Sequence, residues 1–341
     1  MNDDLPNFVF VSPYRHGNAM SGARRRTTEL CKALQNEGLA RVVVLSPWLI
    51  DNSTAYIPFN AEGGPISRVF KYIKLMYLLK RFRNAYIVSE YPIAPLPINA
   101  NKILHVIHDA KFATDVGRRG RNLTLIVHKI SSRICHQVIT VSEPEKKRLS
   151  DVLELDPKKI VVSRNGLSEE WFRELPKKEP EYDLLYVSNF APHKNHLGLL
   201  KACVGSNWRI AFVGSDMGTL ESCIDYASEN NIQCSFLSKL SDNELIEVYD
   251  ASRVFVFPSK LEGFGIPFVE ARSRGLPVVA NDIDIFQTLA ASLHGTLVDF
   301  EDTSEVKNKI AHTLELAKCV PDNISDYRWR KIAKDFLESS V

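Results

Sequence analysis

Short apolar runs alternate with stretches of helical periodicity along most of the chain. Residues 7–12 (Asn-Phe-Val-Phe-Val-Ser) read as a buried strand, followed by a loop with Gly17 and Gly22 and a helix over roughly 23–37. Residues 41–46 (Arg-Val-Val-Val-Leu-Ser) form the next strand, and 103–107 and 137–141 read as later ones with helical segments between. Unbroken apolar runs joined by helices imply a parallel sheet covered on both faces. Residues 161–166 end this half on a turn signal, and 173–182, rich in proline and charge, read as a linker. A second alternating series follows, with strands over 183–188, 208–214, 233–237, 253–257, 277–280 and 295–298. The last segment, 326–339, has helical periodicity with Trp329, Ile332, Phe336 and Leu337 apolar. The pattern therefore predicts an α/β chain with one domain over 1–172, a second over 183–325 and a terminal helix over 326–341.

Composition agrees with two such domains. A chain of 341 residues is long for one core. Its hydrophobic fraction of 45%, charged fraction of 25% and net charge of +2 are those of a globular protein with no nucleic-acid footprint. The six cysteines are scattered without a Cys-x-x-Cys pair, which favours reduced, mostly buried thiols in a cytoplasmic protein over a disulfide framework or zinc site. No signal peptide and no apolar run long enough to cross a bilayer is read. The fingerprint Gly-x-Gly-x-x-Gly is absent after the first strand, which weighs against a nicotinamide or flavin enzyme. No cofactor is expected, and no metal cluster is visible.

One segment adds a different possibility. Residues 67–84 carry Arg68, Lys71, Lys74, Lys80, Arg81 and Arg83 with no acidic residue among them. At helical spacing Val69, Ile73 and Met76 share a face, while Lys71, Lys74 and Arg81 cluster on another. Such a helix either packs its apolar face on the sheet or lies on an anionic membrane, and the two are compatible.

The most informative stretch is 258–282, Pro-Ser-Lys-Leu-Glu-Gly-Phe-Gly-Ile-Pro-Phe-Val-Glu-Ala-Arg-Ser-Arg-Gly-Leu-Pro-Val-Val-Ala-Asn-Asp. It places a glycine loop just past a strand's carboxyl end, where open α/β sheets hold ligands. Gly263 and Gly265 let backbone approach a bound group, and Pro267 suits a first helical turn whose free N–H groups attract phosphate. Glu262 and Glu270 frame the turn, and each carboxylate can accept two hydrogen bonds from a sugar diol. The combination suits a nucleotide sugar.

This segment resembles the signature of the retaining glycosyltransferases of family 4, which have the two-domain GT-B fold. Two glutamates separated by seven residues flank a Gly-Phe-Gly turn there, as Glu262 and Glu270 do here. The resemblance implies two facing Rossmann-like domains, with the terminal helix crossing back onto the first. It extends over residues 184–202, where Lys194 matches a diphosphate-binding lysine but Asn189 stands at the family's arginine position. A lysine neutralises phosphate as a point charge without the arginine's planar fork. Lys239 and Leu240, before the capping pair Ser241 and Glu244, match a turn that touches the nucleobase. His108 and Asp109 look like the family's His-Asp pair, with His108 pointing toward the donor sugar from across the cleft, and His105 is left to the core. Gly22 matches a glycine loop near the donor phosphates, and one of Arg24, Arg25 and Arg26 would reach an anionic group. Ser142 more simply caps the next helix.

The activity implied is metal-independent transfer of a sugar, with retention, from a UDP- or GDP-linked donor to a hydroxyl of a glycan or lipid-linked acceptor. The setting implied is surface polysaccharide synthesis at the inner face of the cytoplasmic membrane. Charge on the leaving diphosphate would be met by Lys194 and the backbone N–H groups around Phe264, Gly265 and Ile266. Glu270 would hold the ribose, Glu262 the donor sugar's hydroxyls, and His108 the sugar from the opposite domain. A glycan- or nucleotide-binding pseudoenzyme, a nucleotide-sugar epimerase, a phosphorylase and a membrane-surface scaffold are the rival classes.

Overall fold

The computed structural model describes residues 5–13, 22–82, 84–92, 102–110, 121–176 and 179–341. It divides into two compact units, the first Met1–Gly166 with Trp329–Val341 and the second Leu167–Arg328. The expected Gly17, Met20 and Ser21 of the first loop lie outside the described residues.

The first unit is built on a parallel sheet. Its strands are β1 (Asn7–Val11), β2 (Arg41–Ser46), β3 (Ala55–Pro58), β4 (Tyr86–Ser89), β5 (Lys102–Val106), β6 (Gln137–Thr140) and β7 (Ile160–Val162), in the order β3-β2-β1-β4-β5-β6-β7. Helices α1 (Gly22–Asn36), α2 (Pro65–Leu79), α3 (Arg121–Ile134) and α4 (Glu143–Leu153) join them. Alternate residues of β1 serve two cores: Phe8 and Phe10 pack with Leu30, Leu34 and Val44, whereas Val9 and Val11 pack with Leu75, Met76 and Leu79. That two-sided demand explains the unbroken apolar runs. The terminal helix Trp329–Ser340 completes the first of these cores with Trp329, Ile332, Ala333 and Phe336. The Phe336 ring lies 5.7 Å from that of Phe8, and Lys102 Nζ donates to the Val341 carbonyl at 2.8 Å.

The second unit has strands β8 (Tyr182–Val187), β9 (Ile210–Val213), β10 (Cys234–Leu237), β11 (Ser252–Phe257), β12 (Val278–Asn281) and β13 (Thr296–Val298). All pair in parallel, in the order β10-β9-β8-β11-β12-β13. The helices are α5 (His196–Cys203), α6 (Leu220–Glu229), α7 (Asp242–Asp250), α8 (Ile266–Ser273), α9 (Asp284–Leu293) and α10 (Thr303–Thr313). The order reverses between β8 and β11, which makes the carboxyl ends of these two strands a topological switch point.

The units divide six residues before the expected boundary at residue 172, for an identifiable reason. Trp171 is fully buried and meets the Tyr249 ring edge-on at 5.2 Å. Arg274, also fully buried, pairs with Asp250 at 2.7 Å and donates to the carbonyls of Trp171, Arg173 and Glu174 at 2.7–3.2 Å. A buried guanidinium needs its donors met, and here segment 171–174 meets them. Those residues are thereby tied to the second unit.

Candidate functional site

The second unit's switch point is formed by two loops that hold each other. Strand β8 runs into Asn189, a one-turn helix over Pro192–Lys194, and Asn195 in a left-handed conformation (φ 56°). Strand β11 runs into 258–265. Lys260 N donates to the His193 carbonyl at 2.9 Å, and Asn195 Nδ2 reaches the Pro258 carbonyl at 3.4 Å. Between them Lys194 Nζ meets Glu262 Oε1 at 2.5 Å, each side chain only 12% exposed. The buried Tyr186 hydroxyl donates to the Lys194 carbonyl at 2.7 Å and fixes the turn from below. The phosphate and sugar candidates of the sequence are thus one ion pair.

Gly265 precedes α8 at φ 81°, and a Cβ there would sit 3.1 Å from the Phe286 ring and 3.2 Å from Leu289. The position is therefore strained for other residues by its conformation and crowded by its packing. Phe264 is buried and its ring lies 6.3 Å from that of Tyr327, so its side chain anchors the loop. Ile266 and Pro267 open the helix. One turn on, Glu270 is 3% exposed, and the Tyr249 hydroxyl donates to its Oε2 at 2.9 Å. Asn189 is exposed on the rim. Lys239, exposed and at φ 58°, and half-buried Leu240 precede α7, whose Ser241–Glu244 capping box is formed. A recess of ≈350 Å³ lined by Lys260, Asn281, Asp282, Asp299, Phe300 and Glu301 lies at the ends of β12 and β13, and the sequence-predicted residues do not line it.

In the first unit His108 follows β5, and its Nε2 meets Glu90 Oε1 at 3.3 Å. Glu90 also accepts from Thr27 Oγ1 at 2.6 Å and from Ser12 Oγ. Burial works to raise the pKa of Glu90, but bonds from His108, that ring's charge, Ser12 and Thr27 together hold it below the usual carboxylate value. The loop after His108 is fixed by Ala110 N donating to the buried Glu145 at 3.1 Å, and Glu145 is in turn capped by Ser142. His105 is a core residue, bonded to the Ser89 carbonyl and to His128, each at 3.1 Å.

Of the three arginines, Arg26 and Arg24 take different places. Arg26 is 3% exposed and donates to Ser163, Asn165 and the Arg164 carbonyl at 2.7–3.0 Å; burial pulls its pKa down to about 10, against the Glu90 charge. It is structural. Arg24 stacks over Trp48 at 5.0 Å. Gly22 is exposed at the start of α1.

Comparison with known proteins decides the family. The model described as Glycosyltransferase Family 4 matches residues 20–171, and that described as Glycosyl transferases group 1 matches 168–334. The chain belongs to the family 4 glycosyltransferases. The O-antigen chain mannosyltransferase RfbU of Salmonella typhimurium is 29% identical over 300 residues, 85% of this chain and 80% of that protein. The serotype-specific mannosyltransferase WbdA of Escherichia coli is 28% identical over 167 residues, 46% of this chain and 20% of its own length. A sucrose-phosphate synthase from Thermosynechococcus elongatus superposes with a TM-score of 0.78 at 19% identity, over 98% of both chains, and the fold is GT-B.

Sequence reasoning missed several residues of this glycosyltransferase that the structure brings to the loops. Glu90 and Tyr249 lie 18 and 21 residues from the groups they hold, His108 and Glu270, and no local motif marks them. Gly214 ends β9 so close to β8 that a Cβ would collide with the Ser188 carbonyl. His196, between Phe190 at 4.1 Å and Tyr186 at 4.5 Å, is a neutral core ring whose pKa burial pushes down to about 3. Among the described residues no His/Cys/Asp/Glu group could hold a metal ion.

Proposed function

We propose that this glycosyltransferase is a retaining, metal-independent enzyme that moves a mannosyl residue from a nucleotide diphosphate sugar to a hydroxyl of a glycan or lipid-linked acceptor. The observation carrying this reading is the Lys194–Glu262 pair at the switch point of the second unit, with Glu270 on the helix that follows the Glu262 loop. Lys194 and the N–H groups of the Gly263–Ile266 turn would stabilise charge on the departing diphosphate. Glu262, released from the lysine, would accept from donor-sugar hydroxyls, and Glu270, held by Tyr249, from the ribose. His108, oriented by Glu90, would donate to a sugar hydroxyl. Both reported relatives are named mannosyltransferases, which supports a mannosyl donor, and the O-antigen chain in the name of RfbU supports a polysaccharide of that type as product. The basic segment 67–84 would bring the enzyme to a lipid-linked acceptor at the inner face of the cytoplasmic membrane.

Thermal melting with GDP-mannose, UDP-sugars and the bare nucleotides tests the site. A donor at ~100 times its Kd should add about 2.7 kcal/mol of stability to the wild type. Glu270→Ala should lose that shift, and Lys194→Ala should lose at least part of it and most turnover. Equal shifts and turnover in wild type and both variants would remove the site. Binding without transfer to any acceptor extract would leave the pseudoenzyme.

A further inference from the structure

Two helices of the first unit each carry a second apolar face that is exposed among the described residues. In α2, Leu75, Met76 and Leu79 are buried on the sheet, so Met76 parts company with Val69 and Ile73, which the sequence placed on its face. Ile66, Val69, Phe70, Ile73 and Tyr77 point outward and are 56–76% exposed. In α3 the outward residues are Leu123, Ile126, Val127, Ile130 and Ile134, 37–66% exposed. Both stripes follow one spacing, i, i+3, i+4, i+7 and i+11, a continuous strip along each helix. Isolated exposed apolar side chains need no explanation, but continuous strips of this length mark contact surfaces.

The two strips lie over the same side of the sheet. Val9, Val11 and Ile87 pack beneath α2. Ile107, Cys135 and Val138 form the next cluster, with Leu125 of α3 packed on it. Ile103 of β5 packs against both clusters. Residues of opposite alternation, Phe8, Phe10, Leu104 and Ile139, face the other way, under α1 and the terminal helix.

Charge selects the occupant. No acidic residue occurs between 63 and 89 or between 121 and 142. On α2 and its end stand Arg68, Lys71, Lys74, Lys80 and Arg81. Lys71 donates to the Glu62 carbonyl, and Arg81 lies over Tyr77 at 5.6 Å. On α3, Lys129 and Arg133 pair with the exposed Glu154 at 2.6 and 3.4 Å, exposed contacts of small net strength. A second copy docked on α2 would set these cations against their own copies. An anionic bilayer meets both demands, apolar depth for the strips and phosphates for the cations.

We propose that α2 and α3 together form a membrane-docking surface whose two apolar strips enter the headgroup region of an anionic bilayer. This deepens the membrane contact proposed above for residues 67–84 and stands independently of the transfer reaction. Adsorption by charge alone would vanish in salt, whereas inserted side chains hold on.

The full-length protein is floated with phosphatidylcholine vesicles, with and without phosphatidylglycerol, at about 50 mM and about 500 mM salt. It should bind the anionic vesicles and only weakly the neutral ones. Phe70→Glu with Ile73→Glu, and separately Ile126→Glu with Ile130→Glu, should each lower partitioning about tenfold or more at both salts. Lys74→Gln with Arg81→Gln should lower it mainly at low salt. Melting temperature and the nucleotide-induced shift should stay at wild-type values in all three, so a failed donor assay leaves this result intact. Absence of flotation, or wild-type flotation by the α3 variant, would overturn the two-helix surface. A lipid-free dimer that the same substitutions dissociate would assign the strips to a second copy instead.

Discussion

Glu270 shows how a single hydroxyl positions a buried carboxylate: it is nearly buried, and its Oε2 accepts from the Tyr249 hydroxyl. Glu90, by contrast, has both oxygens engaged, Oε1 by Thr27 and His108 and Oε2 by Ser12. A hydroxyl satisfies a lone pair without cancelling charge, so Glu270 keeps its ability to accept from a ligand and loses the freedom to rotate. Tyr249→Phe removes one oxygen and leaves the ring against Trp171 and Phe255, at 5.2 and 5.7 Å, in place. A lost bond to a charged acceptor is worth about 1.5–3 kcal/mol. The variant should therefore bind its nucleotide-sugar donor roughly ten- to a hundredfold more weakly, read as a rise in Kd by titration calorimetry. Affinity equal to wild type would mean that Glu270 is held in place without Tyr249.

Elements were legible where their signals were local. Strands β1, β2, β8 and β11 announce themselves as unbroken apolar runs, because each is buried on both faces. Strand β3, half-exposed and four residues long, has no such run and was not read; β4 and β7 were not read either, although strands as short, β6, β12 and β13, were. The loop bearing Glu262, Gly265 and Glu270 was legible because its glycine, proline and glutamate spacing is contained in one turn. Its partners Tyr249 and Gly214 were not, since only the sheet order brings them near. The second face of α2 was also missed: the sequence shows apolar positions, but which of them the sheet covers depends on how the helix is rotated. For the terminal helix periodicity did suffice, and it makes a firm prediction. Phe336 is 1% exposed between Phe8 and Phe10. Phe336→Ala should cost about 3–5 kcal/mol, seen as a lowered melting temperature of the full chain. A change below about 1 kcal/mol would mean that the helix is not a fixed part of that core.

At the scale of the whole molecule, buried neutral histidines make both units sensitive to acid. Burial, with the neighbouring His128 ring adding to it, pushes His105 down to about 3 despite its bond to the Ser89 carbonyl. Burial alone pushes His128 to about 4, and burial lowers His196 in the second unit to about 3. The folded values lie below the ordinary histidine value near 6.5, so between the two the unfolded chain binds more protons than the folded one. Stability from these rings is therefore complete above pH ~6.5 and falls as pH drops toward the folded values, by up to about 1.4 kcal/mol per pH unit for each ring. The carboxylates of Glu90 and Asp183, held below their usual values, act in a lower window: their contribution is kept above about pH 4.5 and lost as pH falls through their folded values. Calorimetry of the full chain should show a melting temperature that is steady above pH 7 and declines between about 6.5 and 4.5, before the carboxylates begin to contribute. His196→Phe should flatten that decline by roughly one ring's share, because an aromatic ring can keep the contacts with Phe190 and Tyr186 without taking up a proton. A melting temperature independent of pH over that window would require these three rings to be as hydrated as in the unfolded chain, which their packing contradicts.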